Sequence, residues 1–144
     1  MSNRFITIAK LTLWVTAAFY AYGALVHILN MASVNGFDWP SAPLKWQVLD
    51  VVYLILDIVV AVGLVRMWRV SIAGFYLAAL SQIALYTVGR PWVLDVPEAF
   101  RPDEQATAYL NSLVTFHLIT LIAVTIALAY LSKRNATHSN VRVS

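Results

Sequence analysis

Residues 48–65, VLDVVYLILDIVVAVGLV, decide the fold. The stretch is apolar apart from two aspartates, and it is long enough for a helix that crosses the hydrocarbon core of a bilayer. Three further apolar runs of comparable length lie at about residues 11–31, 70–88 and 109–131. Because these runs are continuous rather than alternating, they indicate helices and not membrane strands. The sequence therefore predicts an all-α integral membrane four-helix bundle, built as a single transmembrane domain over residues 1–144.

The composition excludes several other classes of protein. Of the 144 residues, 60% are apolar and only 12% are charged, about half the charged share of a soluble domain. The chain has no cysteine, which excludes a disulfide scaffold and a thiolate metal site. A net charge of +3 on so few charged residues is too sparse for a nucleic-acid footprint. We therefore expect the chain to lie in a lipid bilayer and to have no nucleic-acid partner.

Basic residues are unevenly distributed between the two sides of the predicted bundle. Three of them, Lys45, Arg90 and Arg101, lie in the two long connections on one side. The opposite side of the bundle holds more basic residues, seven in all. Because an excess of basic residues in short loops marks the cytoplasmic side, that opposite side is predicted to be cytoplasmic. Both termini would then be cytoplasmic, in an inner (plasma) membrane. The other side holds seven basic residues: Arg4, Lys10, Arg66, Arg69, Lys133, Arg134 and Arg142.

Two aspartates stand inside the second span. An aspartate at the middle of a spanning helix costs ~2.5–3.5 kcal/mol on insertion scales. Asp50 and Asp57 are seven residues apart, or about two helical turns, so that they share one face with Tyr53 between them. This intramembrane aspartate face must point toward protein or water. The opposite face suits lipid, since it consists of Val51, Ile55, Ile58 and Val62.

The other three spans carry polar residues at helical spacing. On the first span, Gly23 lies among these residues and allows a neighbouring backbone to approach closely. Together with the aspartate face of the second span, these three seams predict a bundle with a polar interior at one end. The seams are Thr16, Tyr20, Gly23, His27 and Asn30 on the first span, Phe75, Ala79, Gln82 and Tyr86 on the third, and Leu113, His117, Thr120 and Val124 on the fourth.

The depth of each polar residue follows from the helical rise of about 1.5 Å per residue. This rule puts Asp50 and His27 within roughly 6 Å of the outer boundary, Gln82 near 9 Å, and Asp57 and His117 near 12–14 Å. The residues therefore predict a funnel that opens outward and ends near Asp57 and His117. We take seven of them as the candidate ligand or proton site: Asp57, His117, Asp50, His27, Tyr53, Gln82 and Tyr86.

Structural explanations compete with that hypothesis. Asp50 is placed to cap its helix at the headgroups, and Asp57 to bond a buried Tyr or His. A metal site on the aspartates and histidines, or a haem between His27 and His117, is chemically possible. Each requires its ligands at one depth, whereas the estimated depths are spread. We predict no catalytic residue and no metal ligand, and the sequence identifies no cofactor.

The two outer connections, residues 35–47 and 89–107, are rich in proline and tryptophan. Trp39, Trp46 and Trp92 are typical of an aromatic belt at headgroup level. A lid over the polar funnel is the alternative interpretation.

A short motif gives one family resemblance. The run A-Y-G-x-x-x-H late in the first span consists of Ala21, Tyr22, Gly23 and His27. With the four-span architecture, it resembles the DoxX-like group of small bacterial membrane proteins. The resemblance implies a four-helix bundle and, in some members, a subunit role in a quinone-linked redox complex. It assigns no role to any residue of this chain.

Three functions remain open. The leading hypothesis is a small non-enzymatic protein that acts as a subunit or binding partner of a membrane complex. Its polar pocket, open to the outer side, would bind a small molecule or a segment of another membrane subunit or of a second copy. The alternatives are a quinone-linked or haem-linked redox subunit, in which Asp57 and His117 exchange protons with a headgroup, and an oligomeric proton-coupled transporter of a small solute.

Overall fold

The structure, a computed structural model, describes residues 3–34 and 36–141, with side chains from 4 to 34 and from 36 to 133. Arg142, which was counted for the orientation, lies outside the described residues. The described part is helical and contains no strand. Its helices are α1 (Asn3–Met31), α2 (Leu44–Arg66), α3 (Arg69–Tyr86), the short α4 (Arg90–Leu94) and α5 (Glu104–Val141), with a 3₁₀ turn at Glu98–Phe100.

Four of these helices, α1, α2, α3 and α5, are long and apolar enough to cross a membrane. They form a ring in which α1 and α3 each pack against both α2 and α5. We call the end that holds the α2–α3 turn the turn end, and the end that holds the two long connections the loop end. Exposed Val51, Ile55, Ile58 and Val62 on α2 face away from the bundle, as the sequence predicted for a lipid-facing surface.

The helix ends differ from the predicted ones for local reasons. Helix α1 begins eight residues earlier than predicted, because Arg4 and Lys10 interrupt the apolar run without interrupting the helix. Helix α2 begins directly after Pro43, a residue that fits the start of a helix and not its interior. Helix α5 begins at Glu104, where the Asp103 carboxylate accepts a hydrogen bond of 2.7 Å from the Ala106 amide. That carboxylate caps the helix in the manner typical of aspartate.

The turn end of the bundle is packed with apolar side chains. Leu13, Val60, Leu64, Phe75 and Val124 are at most 1% exposed and belong to one cluster shared by the four long helices. The buried polar side chains of α2 lie on the loop-end side of this cluster. The apolar core therefore forms a floor beneath them.

Candidate ligand-binding site

A cavity of about 880 Å³ lies between the four long helices at the loop end. Its volume is within the range of small-molecule binding sites. All seven side chains of the candidate site line this cavity: Asp57, His117, Asp50, His27, Tyr53, Gln82 and Tyr86.

His27 lies between the two aspartates of α2. Its Nδ1 is 2.7 Å from Asp50 Oδ1, and its Nε2 is 3.8 Å from Asp57 Oδ2. The Asn30 side-chain amide donates a second hydrogen bond, of 3.3 Å, to Asp50 Oδ1. We call Asp50, His27 and Asp57 the carboxylate–histidine triad. Asp50 is thus a hydrogen-bond partner of His27 within the cavity and not only a residue at the helix start.

The contact between His27 and Asp57 differs from the predicted depths, which separated these residues by at least 6 Å. Side chains on a helix lean toward its N-terminus. Since α1 and α2 are antiparallel, His27 leans toward the turn end while Asp57 leans toward the loop end, and the two side chains converge. Gly23 provides the room, because a Cβ added there would overlap Asp57 Oδ2 and lie 3.3 Å from Asp57 Cγ.

His117 does not pair with Asp57, although the sequence placed both at the bottom of the funnel. Its ring stacks on that of Tyr20, with centroids 6.1 Å apart and an interplanar angle of 2°. Neither of its ring nitrogens has a hydrogen-bond partner among the described residues. The same is true of the Tyr20 hydroxyl and of Asp57 Oδ1. Three side chains that line one cavity and are 3–4% exposed therefore hold buried polar atoms without a hydrogen-bond partner among the described residues.

Tyr20 had a sequence signal but was not chosen as a site residue. It lies on the predicted seam of α1, one turn before Gly23. Its neighbour Tyr22, and Tyr109 on α5, line the cavity as well, yet neither lies on a predicted seam. Tyr53 carries an interhelical bond, since its hydroxyl donates to Ser81 Oγ of α3 at 2.9 Å.

An aromatic roof covers part of the cavity at the loop end. The rings of Phe37, Trp46 and Phe100 lie with centroids 6.2–6.4 Å apart, and all three line the cavity. Of the three tryptophans in the outer connections, Trp46 lines the cavity, whereas Trp39 and Trp92 are not among its lining residues.

Two side chains at the start of α2 hold the connection between α3 and α5 in place. Trp46 Nε1 donates a hydrogen bond of 2.9 Å to the Val93 carbonyl. Lys45 Nζ donates to the carbonyls of Trp92 and Asp95 and lies over the Trp92 ring. These bonds fasten the roof to α2.

The cavity reaches the surface in two places. Beside the bundle, Tyr22 of α1 and Tyr109 of α5 are exposed lining residues, so that an opening lies between these two helices. At the roof, the exposed lining residues Asp38 and Arg101 form a charged rim. One opening is therefore flanked by apolar helix surface and the other by polar loops.

The described residues contain no group of three or more His, Cys, Asp or Glu side chains arranged to hold a metal ion. In the carboxylate–histidine triad, the two carboxylates lie at different ring nitrogens of His27, so the three side chains do not converge on one point. Nδ1 of His27 is bound to Asp50, whereas its Nε2 lies 3.8 Å from Asp57 Oδ2, beyond hydrogen-bond distance. A haem between His27 and His117 stays an alternative.

No protein-family model, curated protein or solved structure matches this chain. The resemblance to the DoxX-like group stays a prediction.

Proposed function

We propose that this chain is an integral protein of a bacterial inner membrane, with both termini cytoplasmic, which binds a small amphiphilic molecule in the cavity at its loop end. The four apolar helices support the membrane location. The excess of basic residues at the turn end supports the orientation. By this assignment the loop end faces outward, and the opening between α1 and α5 faces the lipid of the outer leaflet.

The unpartnered polar atoms of Tyr20, Asp57 and His117 carry the proposal. A buried polar atom without a hydrogen bond costs ~1–3 kcal/mol, so a ligand that supplies the missing partners gains affinity at these positions. The Tyr20 hydroxyl is free to donate, Asp57 Oδ1 to accept, and a neutral His117 offers one donor and one acceptor. The matching ligand has a polar end that complements these atoms, above all the unpartnered oxygen of Asp57.

The rest of the cavity favours an apolar body on that ligand. Its walls include Phe19, Val26, Leu113 and Phe116. A cavity of mainly apolar walls with a few convergent polar groups is the usual form of a small-molecule site. A molecule dissolved in the membrane would enter between α1 and α5 and direct its polar group toward Asp57.

Two tryptophan variants of α5 test this function. Ser112 and Thr115 are both exposed, and each hydroxyl donates to the carbonyl four residues earlier. Ser112 lines the cavity, whereas Thr115 is not among its lining residues. Ser112→Trp should therefore block the side opening, and Thr115→Trp is its matched control.

The measurement is native mass spectrometry of the detergent-purified chain, with identification of any small molecule that stays bound. We expect a retained molecule in the wild type and in Thr115→Trp, and at least a tenfold lower occupancy in Ser112→Trp. Equal occupancy in the two variants would refute the cavity as the binding site. Retention of a partner protein in place of a small molecule would favour the complex-subunit hypothesis.

A further inference from the structure

We propose that the bound molecule is a lipophilic cation, and that it takes the place of a proton on Asp57. This inference rests on the proposed binding function and names the chemical class of its ligand. It is carried by the charges around the triad, by the aromatic rings that line the cavity, and by the free oxygen of Asp57.

The carboxylate–histidine triad has more negative than positive charge. Asp50 and Asp57 contribute two negative charges when ionised, and a neutral His27 contributes none. Asp57 is 3% exposed, and its Oδ1 has no hydrogen-bond partner among the described residues. A buried charge that is not paired is strongly unfavourable. The site therefore needs one more positive charge, which either a proton or a cationic ligand supplies.

Few other charged groups of the described residues line the cavity. Arg101 is the one lysine or arginine among the lining residues, and it lies on the exposed rim with Asp38 of opposite charge. The titratable groups around Asp57 come from every long helix. They are Tyr20 and His27 of α1, Asp50 and Tyr53 of α2, Tyr86 of α3, and Tyr109 and His117 of α5.

Aromatic rings make the cavity suitable for a cation. Tyr20, Tyr53, Tyr86 and Tyr109 all line it and all lie within electrostatic range of Asp57. The face of an aromatic ring attracts a cation, and rings grouped around an anionic group recognise substituted ammonium ions. A neutral or anionic molecule would use the apolar walls but would gain nothing from the carboxylates.

The triad also offers a path for the departing proton. In the protonated site, the proton is on Asp57 Oδ2 and the Nδ1 hydrogen of His27 is donated to Asp50. As the cation approaches, Asp57 Oδ2 and His27 Nε2 close from 3.8 Å to hydrogen-bond distance, the O–H bond of Asp57 breaks and an N–H bond forms at Nε2. The Nδ1 proton moves to Asp50 Oδ1, which releases it to water. His27 then returns to its original tautomer by losing its Nε2 proton to water and taking up a proton from water at Nδ1. One cation enters and one proton leaves, so that the charge of the site is unchanged.

Three probes of similar size and different charge test this exchange on the detergent-purified chain. They are tetraphenylphosphonium, neutral triphenylphosphine oxide and anionic tetraphenylborate. Binding is measured by isothermal titration calorimetry, with Ser112→Trp as the blank for partitioning into detergent. Proton release is measured with a pH indicator in weakly buffered solution. Asp57→Asn and its matched control Asp95→Asn, an exposed aspartate that does not line the cavity, are compared with the wild type.

We expect tetraphenylphosphonium to bind one per chain and to release about one proton, with a Kd that falls about tenfold for each unit of rising pH. Asp57→Asn should lose proton release and bind at least tenfold more weakly, whereas Asp95→Asn should bind and release a proton as the wild type does. The proton count on the wild type needs no variant, so the test does not depend on whether Asp57→Asn folds.

The contrary outcomes separate this inference from the proposed function. If the neutral or anionic probe binds as tightly as the cation, or if the cation binds without releasing a proton, cation–proton exchange is refuted and the binding function stands. If no probe prefers the wild type to Ser112→Trp, the inference is overturned. If the purified wild type also retains no molecule in native mass spectrometry, the binding function fails with it.

Discussion

Replacing Gly63 with alanine tests how closely α2 and α3 pack at the turn end. A Cβ added at Gly63 would overlap Cβ and Oγ of Ser71 and lie 3.4 Å from Ser71 Cα. Ser71 is fully buried, and its hydroxyl donates to the Trp68 carbonyl at 2.7 Å. The Trp68 amide in turn donates to the Gly63 carbonyl at 3.0 Å. Because these bonds fix Ser71 against Gly63, the new methyl group can be accommodated only by separating the two helices.

The expected loss of stability follows from two opposing contributions. Forcing an additional methyl group into a packed interior costs ~1–3 kcal/mol, and the fixed position of Ser71 favours the upper end of that range. Alanine is better than glycine in a helix by about 1 kcal/mol. The difference predicts that Gly63→Ala lowers the free energy of unfolding by about 2 kcal/mol.

The control is Gly74→Ala on α3, where the added Cβ would lie 3.5 Å from Val59 Cγ1 and 3.7 Å from Val60 Cγ2. These are ordinary van der Waals contacts, so the substitution changes only the helix propensity, which is higher for alanine than for glycine. The variant should therefore be as stable as the wild type or more stable. The assay is unfolding in mixed micelles, followed by circular dichroism. A double variant, Gly63→Ala with Ser71→Gly, should recover most of the loss. If Gly63→Ala is as stable as Gly74→Ala, the close approach of α2 and α3 is wrong.

Three further predictions concern topology, the roof and the α2–α3 contact. A reporter fused to the C-terminus should be active in the cytoplasm and one inserted within residues 95–103 outside it; the opposite pattern would reverse the orientation. Trp46→Ala should speed ligand dissociation several-fold in stopped-flow measurements because it removes a roof ring, whereas Trp92→Ala should change the rate little; equal rates would contradict the role of the roof. Tyr53→Phe removes the bond to Ser81 and should lower the free energy of unfolding by ~0.5–1.5 kcal/mol, while Tyr53→Phe in a Ser81→Ala background should have a smaller effect.

The seven candidate side chains that line the cavity were accessible from the sequence, because helical spacing fixes which side chains share a face. The pairing of His27 with Asp57 was not, since a depth counted along the axis ignores the opposite lean of side chains on antiparallel helices. That count also began from the apolar stretch, whereas α2 starts at Leu44, four residues earlier than predicted. His117 shows the same limit, because stacking on Tyr20 depends on how far apart α1 and α5 stand.

The aromatic roof could not be predicted from the sequence, for a different reason. Lys45 and Trp46 bond to main-chain carbonyls of the connection between α3 and α5, almost fifty residues away. A carbonyl is present at every residue, so no side-chain pattern marks it as a partner. The tryptophans indicated an interface with the headgroups or a lid, and only the packing of the two connections distinguishes Trp46 from Trp92.

The fastening of the roof to α2 gives this helix control over two events at once. Trp46, Asp50, Tyr53 and Asp57 follow one another at spacings of four, three and four along the same face. Because one helix carries all four side chains, a tilt of α2 about the apolar core at the turn end would displace the roof ring and Asp57 together. Entry of a molecule into the cavity and separation of Asp57 from His27 would then depend on the same movement.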